Sequence, residues 1–333
     1  MNESTKANGF SKAEGKKVSI RNFFTNRVFT ILLVLFFLIT VIAILEPRFV
    51  RYDNVLTILR SMSIVTIASA GVTFCLIAGE IDISVGAQMG FYAVVLGLLI
   101  LKGIHPALAF FITMLVGLVV GAFNGILVTK VGAPSFIATL GMLSLLRGLS
   151  LIFTNGWPVM GFAKSNFIKV MGGMLFNNKF PVQVLWMLLV LIIGGIVLAR
   201  TVFGQHVYAV GGNKIAAKFA GINTDRIKIT TFMISAVCCV VGGAVMLGFM
   251  KAADPLGGTG MELSAIIAVV VGGTAMAGGS GNMIGTLIGA AIFGVIWNGM
   301  IFLGVSSYWN DFATGALLLV AVTIDYLIRR RKV

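Results

Sequence analysis

The chain alternates between long apolar runs and short polar or glycine-rich joints, and the length of the runs predicts its elements. A helix rises about 1.5 Å per residue, so about 20 apolar residues cross the roughly 30 Å hydrocarbon core of a bilayer. Ten runs fit that ruler: Val28–Leu45, Ser61–Ala78, Ser84–Leu101, Ala107–Thr129, Ser135–Phe153, Val182–Ala199, Ile229–Met250, Leu263–Ala277, Met283–Leu303 and Phe312–Ile328. The third and eighth have ends rich in glycine or polar residues. Apolar positions fill whole runs rather than one helical stripe, which predicts an all-α polytopic membrane protein with about ten transmembrane helices. Residues 28–328 form one transmembrane domain, between a polar and basic N-terminal tail (1–27) and a basic C-terminal tail (329–333). No small-residue cleavage site follows the first run, so it reads as a retained span.

Two joints look like broken or re-entrant helix. GEIDISVG, Gly79 to Gly86, separates the second and third runs, and GGSGNMIG, Gly278 to Gly285, separates the eighth and ninth. Glycines 79, 86 and 90 are matched by glycines 278, 285 and 289 at a constant offset. An internal repeat and coincidence in a chain with 41 glycines both stay open. Paired glycine-interrupted segments in transporters mark irregular backbone that meets a cavity, which makes Gly79, Gly86, Gly278, Gly279, Gly281 and Gly285 pathway candidates. GxxxG stripes at Gly117, Gly121, Gly125 and at Gly281, Gly285, Gly289 suit close helix packing, by default within the chain and otherwise between subunits.

The longest interior polar stretch is Arg200–Lys228. Inside it a short helix is marked at both ends: Asn213 caps its start, Lys214 to Ala220 form its body, and Gly221 ends it in a left-handed turn. An isolated helix that short is unstable in water and needs a surface to dock on.

Composition sharpens the class. With 58% hydrophobic and 11% charged residues, the chain lies far from soluble domains, which are about a quarter charged. The net charge of +14 does not indicate nucleic acid, because the basic residues cluster between spans. Ten spans place both tails, Lys130 and the Arg200–Lys228 loop on one side with 16 of the 25 Lys and Arg. The opposite side has 8, and Arg147 is left inside a span. That bias predicts a cytoplasmic location for both termini and the central loop. Cys75, Cys238 and Cys239 all lie in apolar runs and read as packing residues.

The chain offers poor material for catalysis. His105 and His206 have no partner at metal or nucleophile–base spacing, no metal site is indicated, and no GxxxxGK[ST] phosphate loop occurs. Charge at membrane depth is costly and defaults to function, so Glu80, Asp82, Arg147 and Glu262 stand out. Asp82 or Ser84 suits the cap of a helix restarting near Ile83, and a pathway-lining role for Asp82 stays open. Arg147 either snorkels outward, pairs with an acid or contacts substrate. Glu262 is expected at a helix start near the outer surface. Among uncharged polar groups inside spans, Gln88, Asn124, Thr139, Ser144, Thr274, Thr286 and Asn298 serve either interhelical hydrogen bonds or the lining for a polyhydroxy solute.

Four long motifs in order carry a resemblance: GEIDISVGA at Gly79–Ala87, APSFIATLGMLSLLRGL at Ala133–Leu149, FGQHVYAVGGNKIAAKFAGIN at Phe203–Asn223, and GMELSAIIAVVVGGTAMAGGSGNMIGTLIGA at Gly260–Ala290. From about Leu45 to its end, the chain resembles the inner-membrane permease of ribose-type, simple-sugar ABC importers of bacteria. The resemblance implies a subunit without enzymatic activity or cofactor of its own. ATP and Mg would be handled by a cytoplasmic ABC ATPase with two nucleotide-binding halves. It further implies an extracytoplasmic sugar-binding protein and a second permease subunit, identical or related. Its coupling loop falls on Phe203–Asn223, with Phe203, Gly204, Gly211, Gly212, Asn213, Ala216, Ala217 and Gly221. The binding protein would dock on Thr154–Pro181 and Lys251–Glu262, with Arg48, Arg51 and Lys164 meeting acidic groups. Two positions depart from the family's usual pattern: Glu80 replaces a second glycine, and Ser264 replaces an aspartate. A self-contained ion-coupled transporter or uniporter is the rival reading, supported by the paired breaks and the Glu80/Asp82 carboxylates.

Overall fold

In a computed structural model the structure describes residues 27–162, 165–177, 179–306 and 308–330. The N-terminal tail to residue 26, residues 331–333 of the basic C-terminal tail, and Lys164 lie outside the described residues. The elements in chain order are α1 (Arg27–Leu45), a 3-10 turn (Pro47–Val50), α2 (Tyr52–Ile77), α3 (Val85–Leu101), α4 (Pro106–Ile126) extended by a π turn (Leu127–Val131), α5 (Ser135–Thr154) and α6 (Asn166–Gly172). A two-residue hairpin, β1 (Met174–Leu175) against β2 (Phe180–Pro181), leads to α7 (Val182–Arg200), α8 (Val202–Gly212), α9 (Lys214–Phe219), α10 (Thr224–Met250), α11 (Met261–Val271), α12 (Met283–Phe302) and α13 (Trp309–Arg330).

Each of the ten predicted spans has a helix. Seven, namely α1, α2, α4, α5, α7, α10 and α12, are long and apolar enough to cross a membrane, and α3, α11 and the apolar part of α13 are shorter. The largest difference is in the eighth span. Helix ends at Val271, not Ala277, because Gly272 and Gly273 turn the chain out of it. Eleven residues reach about 16 Å, roughly half the hydrocarbon core. The segment before it also differs from a simple outer loop. Gly257 and Gly258 lie against Gly90 and Gly86 of α3, so the backbone descends beside α3 before α11 begins.

The bundle is built around α10 and α2. In their most apolar windows 78% and 67% of residues are buried, against 6% in α1. On α2, Ser63, Thr66, Ser69 and Thr73 are buried and donate to carbonyls one turn back in their own helix. Such satisfied small residues let neighbouring backbones approach. The glycine stripes act the same way inside the chain. Gly117, Gly121 and Gly125 meet Val240, Met233 and Ile229 of α10, and Gly285 and Gly289 meet Gly272 and Ala268 at α11. Exposed side chains of α1, such as Phe36, Phe37 and Ile44, fit a bilayer solvent.

Candidate functional site

The first break runs from Ala78 to Ser84. Gly79 takes φ +78°, a conformation that L side chains rarely adopt, and the chain then runs without regular structure to a turn at Ser84 before α3 starts at Val85. Asp82 is fully buried at this restart. One carboxylate oxygen, Oδ1, accepts from the Ser84 backbone N–H (3.0 Å) and hydroxyl (2.6 Å). The other, Oδ2, accepts from Ser235 Oγ (2.8 Å) and Gln88 Nε2 (3.3 Å). The network continues outward: Gln88 donates to Ser84 Oγ (2.7 Å) and accepts from Tyr92 Oη (3.0 Å), and Asn124 Nδ2 donates to Ser84 Oγ (3.3 Å). Across the break, Ser135 and Thr139 hydroxyls accept from the Ile81 and Ile83 N–H groups, each at 3.2 Å. The N-cap of α3 is Ser84, which makes no side-chain cap bond, and Asp82 bonds Ser84 rather than the first-turn N–H groups; its carboxylate ties the restart of α3 to α10.

Glu80 is also buried, and its partner is Lys228 of α10. The basic residue read as part of the cytoplasmic loop is therefore in the second turn of a membrane helix, with only 10% of its side chain exposed. Lys228, Thr231 and Ser235 share one face of α10 at helical spacing, and that polar stripe was the signal available for finding Lys228 and Ser235.

The second break, Gly272 to Asn282, approaches the first. The Gly279 N–H donates to Ile77 O (2.8 Å), and Gly278 has φ +89°. Asn282 caps α12 through the Gly285 N–H (2.7 Å). Thr274 is buried beside Gly281, and its hydroxyl has no hydrogen-bond partner among the described residues. The two breaks thus share a left-handed glycine, but only the first carries carboxylates.

Arg200–Lys228 forms two helices, α8 and α9, where one was expected. Thr201 caps α8 through the Gly204 N–H (3.1 Å), and Gly204 fits a turn too tight for a side chain, with Leu198 O 2.3 Å from where a Cβ would lie. Phe203 lies against Phe74 of α2, with ring centroids 6.4 Å apart. Asn213 caps α9 through the Ala216 N–H (3.0 Å), Ala217 is buried, and Gly221 closes the turn at φ +82°. Both expected ends of the short helix are present, one residue shorter at Phe219. On α9, Ile215 and Phe219 are 70% and 88% exposed and, four residues apart, share a face with Lys214 and Lys218 nearby.

The end of α8 meets both breaks. A Cβ on Gly211 would fall 1.7 Å from Ile77 O and 2.7 Å from Gly279 N, while Gly212 has room for one. Tyr208 donates to Gly281 O (2.8 Å). One helix end therefore touches the end of α2 and the loop before α12 without intervening side chains.

Other predicted residues fall elsewhere. Asn298 accepts from Asn54 Nδ2 (2.9 Å) near the start of α2, at the far end of the bundle from α8. Thr286 bonds Thr73 (2.7 Å), and Ser144 donates within its own helix. Arg147 is half-buried, one guanidinium nitrogen has no hydrogen-bond partner, and it is in no ion pair among the described residues. Glu262 does start a helix, and its carboxylate lies against Gly86 at the N-terminal end of α3, about 22 Å along that helix from Leu101. Ser264 is buried and donates to Gly260 O (3.0 Å). Arg48, expected to meet a partner protein, is paired with Glu46 at 2.7 Å, and that hydrogen bond holds the Glu46 carboxyl down to about 2.

Residues 54–322 match the sequence pattern of the family described as "Branched-chain amino acid transport system / permease component". The chain is 37% identical over 291 residues to the ribose import permease protein RbsC of Bacillus subtilis (strain 168), covering 87% of this chain and 90% of the relative. It is 35% identical over 295 residues to the protein of the same name from Escherichia coli (strain K12), covering 88% and 92%. To the autoinducer 2 import system permease protein LsrC of Photorhabdus laumondii it is 33% identical over 305 residues, covering 91% and 90%. No solved structure gives a significant match. With the match spanning its helical bundle, both breaks and the α8–α9 elements, the chain belongs to this family of multi-pass membrane permease components of transport systems.

Proposed function

We propose that this permease carries a simple sugar of the ribose, xylose or galactose class, delivered by an extracytoplasmic binding protein and driven by a cytoplasmic ATPase. The relatives' names support the sugar class, since two are ribose importers. The observation that carries the coupling role is the Gly211 contact. Helix α9, whose Ile215 and Phe219 are exposed, follows directly on α8, whose Gly211 meets the end of α2 at Ile77 and the second break at Gly279 backbone to backbone. ATP, with Mg, would be hydrolysed in the partner's two nucleotide-binding halves. Movement of the docked α8–α9 pair would then reach Ile77 and Gly279 without loss in soft side chains, since packed backbones shift as bodies.

In this reading both termini and α8–α9 are cytoplasmic, and a second permease subunit, a copy or a relative, completes the path. Arg51 is exposed at the outer end and suits an acidic patch on the binding protein, where such charges orient docking more than they add affinity. Reconstitution in liposomes tests the assignment. Sugar uptake should require the ATPase, ATP and the binding protein together. Uptake by this chain alone, driven by an ion gradient, would instead establish the secondary-transporter reading.

A further inference from the structure

An apolar cleft of about 410 Å³ lies between α4, α7 and α10, with Ala70 and Phe74 of α2 as its floor. Leu118, Trp186, Val197 and Thr230 mark its sides and ends. Its polar groups are already used within the protein. The Thr230 hydroxyl donates to Arg226 O (2.8 Å), and the Trp186 indole N–H donates to Val170 O (3.0 Å). A hydrated solute would gain nothing there, whereas a hydrocarbon chain would lose no hydrogen bonds.

The end of the cleft nearest α8 is different. Arg200 lies three residues beyond Val197 on α7, where it also borders the neighbouring groove between α7 and α12, and Arg226 lies four residues before Thr230 on α10, so each sits about one turn past the cleft. Both are exposed, and neither is in an ion pair among the described residues. An apolar slot with two arginines free of ion pairs about one turn past one end complements an amphiphile with an anionic head. A second copy of the chain could also cover the slot with apolar side chains, and the experiment below separates that occupant from a lipid.

We propose that this cleft binds an acyl chain of an anionic phospholipid from the cytoplasmic leaflet, with the lipid phosphate held between Arg200 and Arg226. Since Thr201 joins Arg200 to α8, the headgroup would lie at the corner where the coupling helices leave the bundle.

Trp186 provides the reporter. The full-length permease carrying Trp157→Phe, Trp297→Phe and Trp309→Phe is placed in phosphatidylcholine bilayers containing a small fraction of lipid with brominated acyl chains, which quench indole fluorescence on contact. Brominated phosphatidylglycerol should quench Trp186 at lower mole fraction than brominated phosphatidylcholine, by about fivefold for each arginine engaged. The preference should vanish with Arg200→Gln and Arg226→Gln together and survive Arg200→Lys with Arg226→Lys. Equal quenching by the two lipids overturns the proposal, as does a preference that persists in the double glutamine variant. Absence of quenching by either lipid also overturns it, and is the result a protein-covered cleft would give.

Discussion

At the scale of single residues, Glu80 and Lys228 carry the sharpest energetic consequence. Two opposite charges buried together offset each other's desolvation, so removing one strands the other, at a cost of about 3–5 kcal/mol. Glu80→Gln and Lys228→Met should each lower unfolding stability in mixed detergent by that order, while the double variant returns close to the parent. Single variants as stable as the parent would show that the pair bears no such load. The pair was hidden in the sequence because its members are 148 positions apart and meet only when α10 lies beside the first break. Asp82 was singled out as a carboxylate just before a helix restart, but its bonds to Ser84 in place of the first-turn N–H groups, and to Ser235, depend on the same packing. Arg147 was singled out for its charge and pairs with no acid among the described residues, because nothing local fixes what faces a half-buried side chain.

At the scale of elements, the contact between α8 and the two breaks makes neighbouring glycines inequivalent. Gly211→Ala forces a methyl into Ile77 O and should cost about 1–3 kcal/mol and reduce ATP-driven uptake. Gly212→Ala meets nothing closer than 4.0 Å and should leave uptake near the parent's level. Comparable uptake by both variants would remove Gly211 from the coupling path. Helix α9 was legible because its ends are written locally, in Asn213 and Gly221. Helix α8 was not singled out, since its glycines and its cap at Thr201 resemble loop chemistry until they are packed. The end of α11 was misplaced because an apolar run alone does not show where Gly272 and Gly273 turn the chain.

At the scale of the whole molecule, the succession of apolar runs was enough to predict the bundle. Its internal order, with α10 and α2 central and α1 outermost, came only from contacts between helices. The same order separates two exposed sites, Trp157 after α5 and Phe219 on α9, by the length of the bundle. The native Cys75, Cys238 and Cys239 are buried, so they leave little background for labelling. With the proposed orientation, a membrane-impermeant thiol reagent applied outside should label Trp157→Cys and not Phe219→Cys, and inverted vesicles should reverse the pattern. Labelling of both from one side would contradict it.

The coupling role of α8–α9 is tested most directly by replacing Lys214–Ala220 with a glycine–serine linker and measuring how much ATPase co-purifies with the permease. The variant should insert and remain folded, since α9 contributes little to the bundle core beyond Ala217, yet it should retain almost no ATPase. Co-purification of normal amounts of ATPase would contradict the assignment.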